Sequence, residues 1–266
     1  MIYLQKLCYQ KPELADYPFN LPILKNLSEI EFCSPMTLLV GENGSGKSTI
    51  LESLAAKINS TVVGGEDIKT DPTLVEIRKL VDYYKLSWNT KTSRGFFMRS
   101  EDFFNFTRRL HKIKQEMRSE LQRVERDYKN SSKFAQMQAR TTFQSSLNGL
   151  QNTYEGDLNE LSHGESFLSL FQSRFKPGGL YLLDEPEVPL SPLSQYSLVM
   201  MIKEMVDNHQ SQFIIATHSP VLMSFPEALI LSCDDEYLHR VDYDDLEQVS
   251  FLKSFLNNPR NYLRHI

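Results

Sequence analysis

MTLLV-GENGSGKS-TILESLAAKI, residues 36–58, sets out three elements in one line. Met36 to Val40 is an apolar burst that runs straight into Gly41, as a buried parallel strand does. Ile50, Leu51, Leu54 and Ile58 then fall on one side of a helix predicted from Ser48. Between them, GENGSGKS fits the GxxxxGK(S/T) pattern without a mismatch. Its glycines let the backbone curl so that several N–H groups and a helix start face phosphate oxygens. The expected phosphate-binding set is Gly41, Asn43, Gly44, Ser45, Gly46, Lys47, Ser48 and Thr49. Lys47 is placed to reach the β- and γ-phosphates, Ser48 to hold Mg²⁺ and Thr49 to hydrogen-bond the α-phosphate. The loop alone implies a nucleoside triphosphate and does not choose between kinase, GTPase and ATPase.

LYLLDEPE, residues 180–187, is a second buried strand that delivers two carboxylates at its end. Asp184 is the expected Mg²⁺ partner, direct or through water. Glu185, one residue beyond, is the natural base or water-positioning group for attack on the γ-phosphate. An NKxD-type guanine reader is missing: Asn59, Asn105, Asn130 and Asn152 each have the wrong followers. Two more segments follow the same logic. LSHGE at 161–165 offers Ser162 and Gly164 ahead of a helix, and ATHSP at 216–220 ends an apolar strand on His218. Alone, the first reads equally as a capping box with Ser162 and Glu165, and the second as a structural histidine. Their order along the chain favours a shared site. A second phosphate cradle has use only for a nucleotide held by another subunit, and a twofold dimer supplies two such sites by symmetry.

Strands at Leu180–Leu183, Phe213–Thr217 and Ala228–Leu231, with a helix over Leu193–Val206, alternate in α/β rhythm. This predicts a mostly parallel sheet flanked by helices. Short strands are also expected at residues 2–8 and 29–32. The middle differs. Phe106, Leu110, Ile113, Met117, Leu121, Val124 and Tyr128 recur every three or four residues, an amphipathic helix of about six turns. A break at Asn130-Ser131-Ser132 and a weaker helix over Lys133–Leu147 complete a helical lid. The expected organisation is an α/β P-loop core in two parts, residues 1–98 and 161–266, around a lid insertion at 99–160.

In this order GENGSGKST, LSHGE, LYLLDEPE and ATHSP resemble the Walker A, signature, Walker B and switch-histidine segments of ABC-type ATPases. The chain resembles the SMC/RecF/OLD-like branch, and within it small stand-alone bacterial ATPases. The resemblance implies ATP, Mg²⁺ and a homodimer that sandwiches ATP. It further implies Glu185 as catalytic carboxylate, Lys47 and His218 at the γ-phosphate, and Ser162 and Gly164 acting on the partner's nucleotide. Val188–Ser191 falls at the D-loop, where Pro192 departs from the aspartate usual in the family. The signature departs from LSGGQ at His163 and Glu165. No Q-loop glutamine is evident. Glu101, in GFFMRSEDFF, stands in as the expected metal and water sensor, and Arg99 as a contact to nucleotide or lid.

Charge divides the chain. Arg99 through Arg140 holds eleven Lys or Arg against six Asp or Glu, a net +5, while the whole chain is −5 and the remainder therefore −10. The insert suits DNA or RNA phosphates, an acidic partner protein, or a plain solvated face. Phe96, Phe97, Phe103, Phe104 and Phe106 read as packing between lid and core rather than base stacking. Three cysteines without a CxxC, no signal-like start and no long apolar run imply a cytoplasmic protein that does not itself enter a membrane. The expected role is ATP hydrolysis coupled to a nucleic-acid or defence switch. The rivals are a transporter's nucleotide-binding subunit and an ATP-gated scaffold. SFLSLFQSRF after LSHGE lacks the arginine-rich helix common in transporters, and intact Lys47, Asp184 and Glu185 disfavour the scaffold.

Overall fold

The computed structural model describes residues 1–128, 132 and 163–264. A six-stranded sheet forms the centre. Its strands are β3 (Met36–Val40), β5 (Phe97–Arg99), β6 (Leu180–Asp184), β7 (Gln212–Ala216), β8 (Leu229–Ser232) and β9 (His239–Arg240), ordered β5-β6-β7-β3-β8-β9. All neighbours are parallel except β8 and β9. A separate antiparallel sheet, ordered β2-β1-β4, pairs β1 (Leu4–Tyr9) with β2 (Glu29–Glu31) and β4 (Tyr84–Trp88).

Strand alternation splits the core into two layers. Leu38, Leu183, Phe213 and Ile215 face one layer, with Phe167, Phe171, Leu198 and Ile202 from helices α5 (His163–Arg174) and α6 (Pro192–Asp207). Leu39, Leu182, Ile214 and Ala216 face the other, with Ile50, Leu51 and Leu54 of α2 (Lys47–Ile58) and Leu4 and Leu7 of the small sheet. Both faces of β3, β6 and β7 are covered, so these strands are wholly buried. That explains why they read as continuous apolar runs.

The segment expected to form the lid begins with one long helix, α4 (Ser100–Asp127), which starts six residues ahead of the periodic Phe106. The predicted helix at 133–147 lies outside the described residues. Phe96, Phe97 and Phe103 are buried, and Phe103 meets Phe167 edge-on at 4.5 Å between centroids. For these three the packing reading holds; the side chains of Phe104 and Phe106 lie outside what is described. Among the described residues, no helix is long and apolar enough to cross a membrane.

Candidate active site

The loop after β3 curls as its glycines predict. Gly41 and Gly46 have φ of 138° and 99°. A Cβ on Gly41 would lie 2.7 Å from Asp234 Oδ1, and one on Gly46 would lie 2.5 Å from Ile23 Cγ2. Asp234 explains the first crowding: its Oδ1 accepts the Glu42 N–H at 2.6 Å and fixes the mouth of the loop. Lys47 Nζ donates to the Gly41 and Glu42 carbonyls at 2.7 Å each. An ammonium has three donors, so one N–H remains for a phosphate oxygen. Burial lowers the proton affinity of Lys47.

Ser48 Oγ donates to Asp184 Oδ1 at 3.1 Å. Burial pushes the Asp184 carboxyl up to about 7, and the charge on Glu185 adds to this. These two hard oxygen donors fit Mg²⁺, which takes one or two protein oxygens and completes its shell with water and phosphate. Among the described residues, no cluster of three or more His, Cys, Asp or Glu could hold a metal by itself.

Glu185 leaves β6 in the left-handed region, with φ 49°, while its N–H donates to the Ala216 carbonyl at 2.9 Å. For a residue with a side chain this conformation carries a cost, and such costs gather at functional sites. The turn brings Glu185 Oε1 to 3.4 Å from His218 Nε2. That is ion-pair range, but the buried Nε2 has no hydrogen bond. Burial, then the nearby Lys47, lower the His218 pKa and favour the neutral ring. A cleft of about 580 Å³ opens on the loop, lined in part by Asn43, Gly44, His218, Asp234 and Phe251. Its size is within the range of small-molecule sites.

The remaining candidates lie apart. Gly164 is in the first turn of α5, where its nearest neighbours are Ser194, Pro189 and Leu190 rather than the phosphate loop. Ser162 lies outside the described residues. Arg99 is buried and turned inward, at 2.7 Å from Asp71, 3.0 Å from Asp102 and 3.5 Å from Glu52. Asp102 and Glu52 belong to α4 and α2, so Arg99 joins the root of the insert to the P-loop helix. Glu101 is largely exposed and pairs with Arg99 at 3.3 Å, not with Ser48 or Asp184. Sequence reasoning passed over Asp234 and Glu187. Glu187 had a signal, a third carboxylate in LYLLDEPE; Asp234 had only its place after an apolar strand.

A family model described as an AAA domain matches residues 19–179, more than half of the chain. The chain belongs to this AAA-domain family. Nucleotide hydrolysis in general is the activity that goes with it. A curated relative of the AAA-domain chain, the OLD nuclease of Thermus scotoductus, is 36% identical over 87 residues. That match spans 31% of this chain and 16% of the nuclease. Among solved structures, the Smc head domain of Pyrococcus furiosus, described as bound to the C-terminal domain of ScpA, superposes with a TM-score of 0.50. At 15% identity it covers 96% of this chain and all of that one, and the likeness is one of fold. The α/β architecture, a mostly parallel sheet flanked by helices, is thus shared with that Smc head domain.

Proposed function

We propose that this chain hydrolyses ATP with Mg²⁺ at the Lys47–Ser48–Asp184–Glu185–His218 cluster, and that two copies close face to face around the nucleotide. The observation that carries the reading is the 3.1 Å link from Ser48 to Asp184, with Glu185 turned toward His218 one residue later. The loop N–H groups and the spare Lys47 donor hold the β- and γ-phosphates, and Thr49 takes the α-phosphate. Ser48 and Asp184 hold Mg²⁺, which when bound offsets phosphate charge. Glu185 orients the attacking water and takes its proton, and His218 hydrogen-bonds the γ-phosphate. Glu101 joins the metal and water shell by rotation of its exposed side chain. Ser162 and Gly164 of one copy cap the γ-phosphate held by the other.

We assign the core to residues 1–98 and 161–266, the lid to 99–160 and the working place to the cytoplasm, where free Cys8, Cys33 and Cys233 stay reduced. Hydrolysis is coupled to DNA or RNA on the basic insert, whose Arg108 and Lys112 are exposed. The likeness to a protein named a nuclease supports the nucleic-acid side of this reading, within which a defence role is one setting. Phosphate release measured with and without single- and double-stranded DNA and RNA tests this. Stimulation by one of them is expected. Hydrolysis indifferent to all of them would transfer the insert to an acidic partner protein, and no hydrolysis at all would overturn the activity.

A further inference from the structure

Glu187 lies three residues past Asp184, and its side chain is more than nine-tenths buried. One oxygen, Oε1, accepts three hydrogen bonds: from Thr217 Oγ1 at 2.7 Å, from the His218 N–H at 2.6 Å and from the Ser219 N–H at 3.1 Å. Thr217, His218 and Ser219 therefore converge on one carboxyl oxygen, while Oε2 is buried without a hydrogen-bond partner and burial raises the proton affinity of the group. A buried acceptor fixed by two backbone donors is a directional anchor. A second link runs beside it. Ser219 Oγ donates to Gln195 Oε1 at 2.7 Å, and Gln195 Nε2 donates to the Leu190 carbonyl at 3.1 Å. Glu187 and Leu190 flank the same turn, which closes through the Leu190 N–H to the Glu187 carbonyl at 2.9 Å. Gly164 of the signature helix sits beside this turn, near the Pro189 carbonyl.

We infer that Glu187 is a positioning residue that sets the placement of His218 and ties it to the 188–191 turn. His218 Nε2 has no hydrogen bond, and its contact to Glu185 is 3.4 Å. The backbone anchor thus decides where the residue sits and which region its ring can reach. This rests on the hydrolytic reading above for its kinetic consequence, but not for the anchor itself.

The test compares Glu187→Ala and Glu187→Gln in the full chain. Glu187→Ala is expected to lower kcat between about 10- and 100-fold, the scale of a misplaced catalytic group. KM for ATP stays within about twofold, because the phosphate loop is untouched. Glu187→Gln keeps an acceptor oxygen and recovers most of the loss. Amide hydrogen exchange of residues 217–219, measured without nucleotide, should accelerate in Glu187→Ala and remain slow in Glu187→Gln. A wild-type chain that releases no phosphate defeats the hydrolytic reading, and the exchange rates then judge the anchor alone. Unchanged exchange and unchanged kcat in Glu187→Ala would overturn the inference. So would a KM rise equal to the kcat loss with no rescue by glutamine, which marks general loosening.

Discussion

Ser48 Oγ donates to Asp184 Oδ1 across 3.1 Å, joining the first turn of the P-loop helix to the last residue of β6. The two residues are 136 apart in sequence and meet because β3 and β6 both flank β7 in a parallel sheet. In such sheets the strands end on one edge, and ligand sites form there.

Asp184→Asn tests the metal assignment. Wild-type affinity for ATP should rise when Mg²⁺ is added and fall with a chelator. The variant should bind metal-free ATP at least as well as wild type, and should gain less from Mg²⁺. Titration calorimetry with and without metal reads the difference; an undiminished Mg²⁺ gain would remove Asp184 from the metal shell.

Lys47→Ala removes a donor that bridges two carbonyls of its own loop and that, in the proposed reading, also holds phosphate. Affinity for a labelled ATP analogue should drop about 10- to 100-fold, the worth of a charge-assisted hydrogen bond. Equal affinity in equilibrium binding would place the nucleotide elsewhere.

Glu52 gives a pH signature. Its carboxyl, buried beside Arg99, is pushed from 4.5 up to about 7, chiefly by burial. Between these values the folded chain holds a proton that the unfolded chain releases. Its contribution to stability is therefore present below the unfolded value and declines as pH rises toward 7. Glu52→Gln should flatten that decline. Urea unfolding of both chains at about pH 5 and about pH 8 measures it, with the variant gaining relative to wild type at the higher pH. A gain of equal size at both would reject the shift.

The sequence made the central sheet legible because β3, β6 and β7 are covered on both faces and so read as apolar runs. Lys47 and Ser48 stood out through the GENGSGKS pattern, Asp184 through its place at the end of an apolar run, and His218 through the order of the four segments. Four features were not legible. Strand β4, YKLSW, alternates over too short a span to stand out, and β5 is only three residues long. For Arg99 the sequence suggests a contact to nucleotide or lid; the structure turns it inward, to Asp102 three residues on. Its other partners, Asp71 and Glu52, come from loops and helices that only the fold brings near. Glu187 was passed over because its partners, Thr217 to Ser219, lie about thirty residues downstream.

The basic insert should bind nucleic acid with an affinity that falls as salt rises. Replacing Arg108, Arg109 and Lys112 together should weaken binding and flatten the salt dependence, by up to about three in the log–log slope if each meets a phosphate. Fluorescence anisotropy across a salt series reads both. Binding indifferent to salt would assign the insert to a protein partner.

The central claim is that hydrolysis and assembly share one site, and the mass of Glu185→Gln in ATP and Mg²⁺ tests it most directly. The amide keeps the shape of the side chain but loses the base, so hydrolysis should fall by at least about 10²-fold while ATP still binds. ATP then persists between Lys47 of one copy and Ser162 of the other. Light scattering at micromolar protein should report a dimer with ATP and Mg²⁺ and a smaller species without nucleotide. Adding Ser162→Arg should abolish the dimer although each phosphate loop is intact. A Glu185→Gln chain that stays monomeric in saturating ATP, or a double variant that dimerises as well as the single one, would contradict the shared site and return LSHGE to a plain helix cap.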